Sequence, residues 1–465
     1  MRDHFFPALA VVASAALAGC AADAIDDNAR AAQAEIQAHG GPDFAWLTSD
    51  GARAVASARV DALLAAPLAE DDAVRIALAY SPRLQAALFE RAAQSAALTR
   101  SARLPNPIFD FERLAGGSPA SLDITRTLTW PLAELLLQPA RARAADAGQQ
   151  RTRLQLAADV LRTAAEARRA WVEAVAAQES AAQAERGAAA AEAGAELARR
   201  LEATGAFSTL QRAREEADAG DAAADATRAR HEARVARAAF EAALGLDAGQ
   251  SRRLQLPDHL PEVPASAAEA SPSSDTLATL VDTRLDVRLA RAEADAADAA
   301  AGWARSGDNL AGLAAGVATR GQTGQPDQHG GELSVPLPVF DGGDAARAGA
   351  RARAEAARQS ATATAAAAAA QLRAATDDRR DGATLARRYQ DELVPLQQRI
   401  LGADLRRYNG MLASPFDLLA DAREQARVVQ RAISARRDYW LADAAWEAAR
   451  AGFTDPATAA PMETK

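Results

Sequence analysis

Pieces of the first half of this 465-residue chain recur in the second half, in the same order and at a nearly constant spacing. Arg141 returns as Arg347, Ser208 as Ser414, and Phe240-Glu241-Ala242-Ala243 as Trp446-Glu447-Ala448-Ala449, each displaced by 206 positions. Upstream, Leu128-Thr129-Trp130-Pro131-Leu132 answers Leu333-Ser334-Val335-Pro336-Leu337 at 205, and Arg83-Leu84 answers Arg284-Leu285 at 201. A unit this long is far beyond a solenoid repeat. The duplication therefore predicts two similar halves packed about a pseudo-symmetry axis.

The first residues read as an export signal: Arg2 in a charged head, an apolar run from Phe5 to Leu17, and small residues leading to Cys20. Leu17-Ala18-Gly19-Cys20 resembles the lipobox of bacterial lipoproteins. The resemblance implies a signal peptide over 1–19 and acyl chains on Cys20, each buried methylene adding about 0.8 kcal/mol of membrane attachment. Ala21 and Ala22, where an Asp would signal inner-membrane retention, imply delivery to the outer membrane. A soluble exported protein with an incidental cysteine is the alternative. Cys20 is the only cysteine, so no intrachain disulfide can form.

Beyond the signal, no segment approaches the 18 or so uninterrupted apolar residues that a spanning helix needs. The best stretch, 363–370, is only alanine and threonine. The chain thus either stays out of the bilayer or crosses it as β-strands. Abundant alanine, arginine and glutamate with 5% aromatics favours long helices over an ordinary α/β core. The net charge of -9, with basic and acidic residues interleaved, offers no nucleic-acid surface.

Residues 20–69 read as a lipidated N-terminal tether with a packed arm. A first repeat covers 70–256, a Pro/Ser/Ala-rich linker 257–275, a second repeat 276–452, and a disordered tail 453–465. Within the first repeat, a short helix ends at Ser81-Pro82, and a second runs over 83–104 until Pro105-Asn106-Pro107 stops it. Strands are predicted over 108–113 and 122–130. In the latter, Leu122, Ile124, Leu128 and Trp130 share one face with Arg126 as an intruder, while Asp123, Thr125, Thr127 and Thr129 share the other. A transmembrane barrel strand and a half-buried soluble strand both fit this alternation. The second repeat predicts a helix over 277–305, weaker strands near 310–319 and 332–337, one long helix over 345–408, and a return helix to 449.

Between 139 and 203 helix formers dominate, which allows a helix of roughly 95 Å at about 1.5 Å per residue. Leu154, Ala158, Leu161, Ala165, Arg168, Val172 and Val175 form one heptad-spaced stripe. Leu156, Val160, Thr163, Ala167, Ala170, Ala174 and Ala177 form another on nearly the opposite side. Two seams predict a neighbour on each flank, like a stave in a barrel; a helix buried in a bundle is the alternative.

These segments resemble the outer membrane efflux (TolC-like) family, in particular its lipidated subgroup of resistance-pump outer membrane factors, over roughly 70–452. Ala102-Arg103-Leu104-Pro105-Asn106-Pro107 is similar to the family's pattern ahead of its first strand, and Arg284-Leu285-Asp286-Val287-Arg288 to the opening of its second repeat, although Leu285 replaces a common proline. Ser334-Val335-Pro336-Leu337-Pro338-Val339-Phe340-Asp341 resembles the stretch closing the fourth strand. Tyr408-Asn409-Gly410, Ser414, Asp417-Leu418-Leu419 and Ala422 resemble the periplasmic tip of the second repeat.

The resemblance implies a mainly α fold with a small β part. Each protomer of a homotrimer would lend four strands to one shared 12-stranded β-barrel and its helices to a long periplasmic α-barrel. Elementary physics points the same way, because four strands cannot close and unpaired backbone groups in hydrocarbon cost several kcal/mol each. The partners the resemblance implies are a periplasmic adaptor, an inner-membrane pump of the proton-driven kind, and outer membrane lipid. A periplasmic coiled-coil structural lipoprotein and a type I protein-secretion exit channel are the alternatives. The chain has no P-loop and no nucleophile constellation, and His4, His39, His231, His259 and His329 are dispersed, so no enzymatic activity, cofactor or metal site is expected.

At the tip the resemblance marks Tyr408, Gly410, Ser414, Asp417 and Asp421 as gate residues, with Gly205 and Ser208 at the first-repeat tip. Ala413 and Ala420 stand where the family pattern carries a basic partner and a second carboxylate. Asp417 is expected either to line a constriction or to serve as the first-turn carboxylate of a helix.

Overall fold

The computed structural model describes residues 30–453 apart from 39–40, 42, 117–120, 269–273, 308–311, 338 and 340–341. Cys20, the export segment, His4, His39 and positions 454–465 lie outside the described residues. The described chain is mainly helical, with one small sheet. It divides into two compact units, each assembled from both repeats.

The strand unit contains β1 (Ile108–Gly116), β2 (Ser121–Trp130), β3 (Ala314–Gln322) and β4 (Gln328–Ser334) with the helical segments leading to and from them. The strands pair antiparallel in the order β1-β2-β3-β4. Phe109 faces Leu128, Leu128 faces Val317, and Val317 faces Gly331, so one register runs through all four. At Gly316 of β3 a Cβ would sit 3.0 Å from the Leu128 carbonyl oxygen, so only glycine fits there without displacement. β3 ends three residues after the expected end at 319, and β4 starts four residues before the expected start at 332. Their glycines and alanines carry little strand propensity, and pairing of β3 with β2 and of β4 with β3 sets their extent.

The helix unit centres on α4 (Leu132–Ala203), whose part beyond Ala157 belongs here, and on α5 (Thr209–Leu244). With them stand α1 (Asp50–Leu63), α2 (Glu70–Tyr80), α6 (Ala248–Arg253), α7 (Ser274–Thr283), α10 (Val394–Asn409) and α11 (Pro415–Ala451). Both stripes of α4 are buried along this unit at Leu161, Val172 and Val175 on one side and Val160, Ala167, Ala170 and Ala174 on the other. Trp171, which belongs to neither stripe, anchors the core and donates its Nε1–H to the Leu68 carbonyl at 2.8 Å. Residues of the Pro/Ser/Ala-rich stretch pack as well: Leu260 and Val263 are buried, and Trp440 Nε1–H reaches the Pro261 carbonyl at 3.0 Å. Phe453, the first residue of the expected disordered tail, is also buried.

α3 (Pro82–Ala102), α4 and α9 (Asp344–Arg388) each run from one unit into the other, and α8 (Leu285–Gly307) lies in the strand unit. Two boundaries depart from expectation. α4 begins at Leu132 and carries Pro139 inside its second turn, where a single lost bond is tolerated. The helix expected to run unbroken over 345–408 is interrupted by a π turn, Tyr389–Leu393, in which Val394 N–H reaches back to the Tyr389 carbonyl. Pro395 is the cause: it lacks an N–H, and its ring crowds the carbonyl four residues earlier, so the helix widens by one residue ahead of it. The first repeat has Ala189 at the matching place, and α4 passes it without interruption.

Candidate functional site

The sheet has two chemically opposite faces. On one lie Asp110, Glu112, Asp123, Thr125, Thr127, Thr129, Arg320 and Glu332; on the other lie Phe109, Phe111, Leu122, Ile124, Leu128, Trp130, Val317 and Leu333. On the polar face Arg320 pairs with Asp123 across the β2–β3 ladder. Phe109, Phe111, Val317 and Leu333 are more than half exposed, an arrangement that water penalises and hydrocarbon favours. β1 and β4 each leave one backbone edge unpaired in this sheet. Arg113, Arg126 and His329 interrupt the apolar face; an arginine at the bilayer midplane on such a face costs about 2–4 kcal/mol.

The helix unit carries the two duplicated turns. Between α4 and α5, Gly205 adopts φ 77°, and Ser208 caps α5 in a reciprocal box with Gln211. Between α10 and α11, Ser414 caps α11 in the same way with Asp417. Asp417 Oδ2 accepts from Ser414 N–H at 3.0 Å, and Asp417 N–H donates to Ser414 Oγ at 3.1 Å. The Ser414 backbone N–H, and then the Ser414 hydroxyl, which donates to Asp417 Oδ2 at 2.9 Å, hold the Asp417 carboxyl below its usual range. Gly410 ends α10 with φ -83°; the left-handed residue of this turn is Met411. Tyr408 is exposed nearby, its carbonyl accepting from Met411 N–H at 2.9 Å.

The two turns meet through aromatic rings. Phe207 and Phe416 stack at 4.3 Å between centroids with 22° between their planes. Arg423 on α11 reaches across to Glu215 and to Asp218, the latter at 2.9 Å, which ties the two hairpins together. Asp421 faces Asp404 on α10. A hydrogen bond between the two carboxyls, then burial, pushes the Asp421 carboxyl above its usual range, and Asp404 also takes Arg407 at 3.1 Å. Three carboxylates therefore gather on one hairpin, with Asp417 spent on the cap and Asp421 on Asp404. Above the tip, α4, α5 and α11 enclose an open groove of about 1240 Å³ lined by Ala188, Ala222, Ala422, Ala426, Asp225 and Arg427.

Of the residues singled out in the sequence, Gly205 and Ser208 stand in the first-repeat turn and Gly410 and Ser414 in the second, while Tyr408 lies in the last turn of α10 and Asp417 and Asp421 lie in the first two turns of α11. Sequence reading missed Asp404, Arg423 and the Phe207–Phe416 stack. Asp404 was legible in part, since residues equidistant from a helical turn face one another. The stack joins positions that the duplication does not relate, so no repeat signal marks it. No helix among the described residues is long and apolar enough to cross a membrane. Among the described residues no group of His, Cys, Asp and Glu could hold a metal ion.

The chain, with its duplicated pair of long helical hairpins and its open four-stranded sheet, has the same fold as solved outer membrane channels. A membrane protein from Pseudomonas aeruginosa matches with a TM-score of 0.67 at 17% identity, covering 88% of this chain and 97% of its own. The CmeC outer membrane channel of Campylobacter jejuni gives 0.67 at 15% identity over 83% and 86%, and the outer-membrane channel OprN gives 0.67 at 18% over 89% and 97%. No sequence-family model matches the chain, and no curated protein matches it in sequence.

Proposed function

We propose that this protein is the outer membrane exit duct of a tripartite efflux system, a homotrimer anchored through acylated Cys20, with its helices extending into the periplasm. One observation carries the reading: an open sheet of four strands with one apolar face, one polar face and two unpaired edges. Such a sheet is stable in a bilayer only when further copies supply the missing partners, and three copies give twelve strands. The apolar face then meets lipid and the polar face lines the pore. Four carboxylates against one guanidinium on that polar face favour cations in the lumen. The chain performs no chemistry of its own. A periplasmic adaptor and an inner-membrane pump, proton-driven in this reading, deliver the cargo and the energy.

The gate belongs to the tip. Threefold symmetry gathers Asp404, Asp417 and Asp421 of three hairpins, and like charges in a constriction favure divalent cations. Reconstituted protein is expected to run as a trimer in detergent, to form pores in planar lipid films, and to be blocked by divalent cations from the tip side. Asp404→Asn with Asp421→Asn is expected to weaken that block. Protein that stays monomeric and never forms pores overturns the channel reading, whereas pores with unaltered block in the double variant overturn the gate alone. Mass spectrometry of the mature N-terminal peptide tests the lipid: an unmodified Cys20 removes the anchor.

A further inference from the structure

Within the helix unit, α11 is tied to its neighbours at two levels, and α10 beside it is not. Near the tip, the Phe207–Phe416 stack and Arg423, on Glu215 and Asp218, pin α11 to the first-repeat hairpin. Higher up, residues 257–265 cross the helices as a strap. Gln178 of α4 donates to the Pro257 carbonyl at 3.3 Å, Arg436 and Trp440 of α11 donate to the Leu260 and Pro261 carbonyls at 3.3 and 3.0 Å, and Arg387 of α9 donates to the Ala265 carbonyl at 3.1 Å. The strap also grips the π turn itself, where Val263 N–H donates to Gln390 Oε1 at 3.3 Å. Among the described residues no hydrogen bond joins the strap to α10, and α10 packs along α11.

Resting on the reading of the tip as a gate, we propose that the π turn Tyr389–Leu393 is its hinge, about which α10 swings while α4, α5 and α11 stay in place. No residue of α10 is buried, whereas the matching stretch of α4 buries Ala191, Ala195 and Ala198, so displacing α10 exposes little apolar surface. Pro395, at the start of α10, supplies no N–H, so the backbone bond that would stiffen the step out of the π turn is missing. Helices bend at such turns. With 16 residues α10 is a lever of about 24 Å. A rotation of about 20° at its root carries Tyr408 roughly 8 Å. Residues 410–413 reach about 13 Å when extended, so the link to α11 follows without undoing the Ser414 cap. Asp404 travels with α10 while Asp421 stays on α11, so the swing parts the carboxyl pair that joins the two helices. The first repeat has Ala189 in place of Pro395 and an uninterrupted α4, which leaves the hinge to the second repeat.

Single-channel recording of the full-length protein in planar lipid films tests the hinge, with amide exchange over 390–395 measured on the same samples. Pro395→Ala, which lets the helix run on, is expected to cut the open fraction by about fivefold while each opening keeps the conductance of the parent protein. Gln390→Ala, which frees the π turn from the strap, is expected to raise the open fraction. Slower exchange in Pro395→Ala with an unchanged open fraction overturns the hinge, because the turn is then removed without effect. Where exchange does not slow, Gln390→Ala decides, and an unchanged open fraction in that variant overturns the hinge as well. Openings of altered conductance in both variants place the effect in the lumen and overturn it too. Pores in the parent protein with no response in either variant sink the hinge alone, whereas a parent protein that forms no pores sinks the channel reading and the hinge with it.

Discussion

Gly205 and Met411 hold the same left-handed backbone conformation at matching places of the duplicated turn, with φ of 77° and 58°, although only the first is a glycine. A side chain in this region crowds its own carbonyl, at a cost of about 1–2 kcal/mol. Met411 is 95% exposed and gains no packing in return. Met411→Gly is therefore expected to stabilise the second-repeat tip by about 1 kcal/mol, the glycine's extra chain entropy offsetting part of the relief. Slower amide exchange over 408–414 checks it; unchanged exchange rates there contradict the strain.

The two tip carboxylates that titrate abnormally act on stability with opposite signs. Asp421 is raised by its bond to Asp404, so the native state holds its proton at pH values where the unfolded chain has released it, and stability falls as pH rises through that interval. Asp417 is lowered by Ser414, so its contribution is present above the ordinary carboxylate range and is lost as pH falls through the folded value. Asp421→Asn is expected to raise stability at neutral pH, and Asp417→Ala to lower it there but not in acid. Urea unfolding between pH 3 and 7 decides, and identical pH profiles for both variants refute the assignment.

The Glu179–Arg436 pair, 2.7 Å apart and mostly buried, joins α4 to α11, and burial pushes the Glu179 carboxyl above its usual range. Arg436 also donates to the Leu260 carbonyl at 3.3 Å. Arg436→Met leaves a carboxylate in a low-dielectric site and is expected to cost about 3 kcal/mol; adding Glu179→Gln should recover a large part. A double variant no more stable than the single one argues against the pair.

Pro395→Ala removes the cause of the π turn. Amide exchange at residues 390–395 is expected to slow, and stability to rise by about 1 kcal/mol, less than the proline penalty of an ordinary helix interior because the turn has already absorbed part of it. Exchange as fast as in the parent protein assigns the turn to packing instead.

Much of this molecule was written locally. The heptad stripes on both sides of α4, the serines that cap α5 and α11, and the alternation along β2 follow from side-chain period and hydrogen-bonding chemistry, and the duplication repeats those signals. Other features arise only when distant segments meet. The low strand propensity of β3 and β4 concealed their ends, which pairing of β3 with β2 and of β4 with β3 decides. The π turn required weighing Pro395 against continuous packing, and the Phe207–Phe416 stack joins positions with no shared local pattern. Periodicity reports which face of an element is apolar, because that depends on residues a few positions apart. Which element covers that face, and which charge finds a partner there, depends on packing between residues roughly 200 positions apart, and only the folded chain decides it.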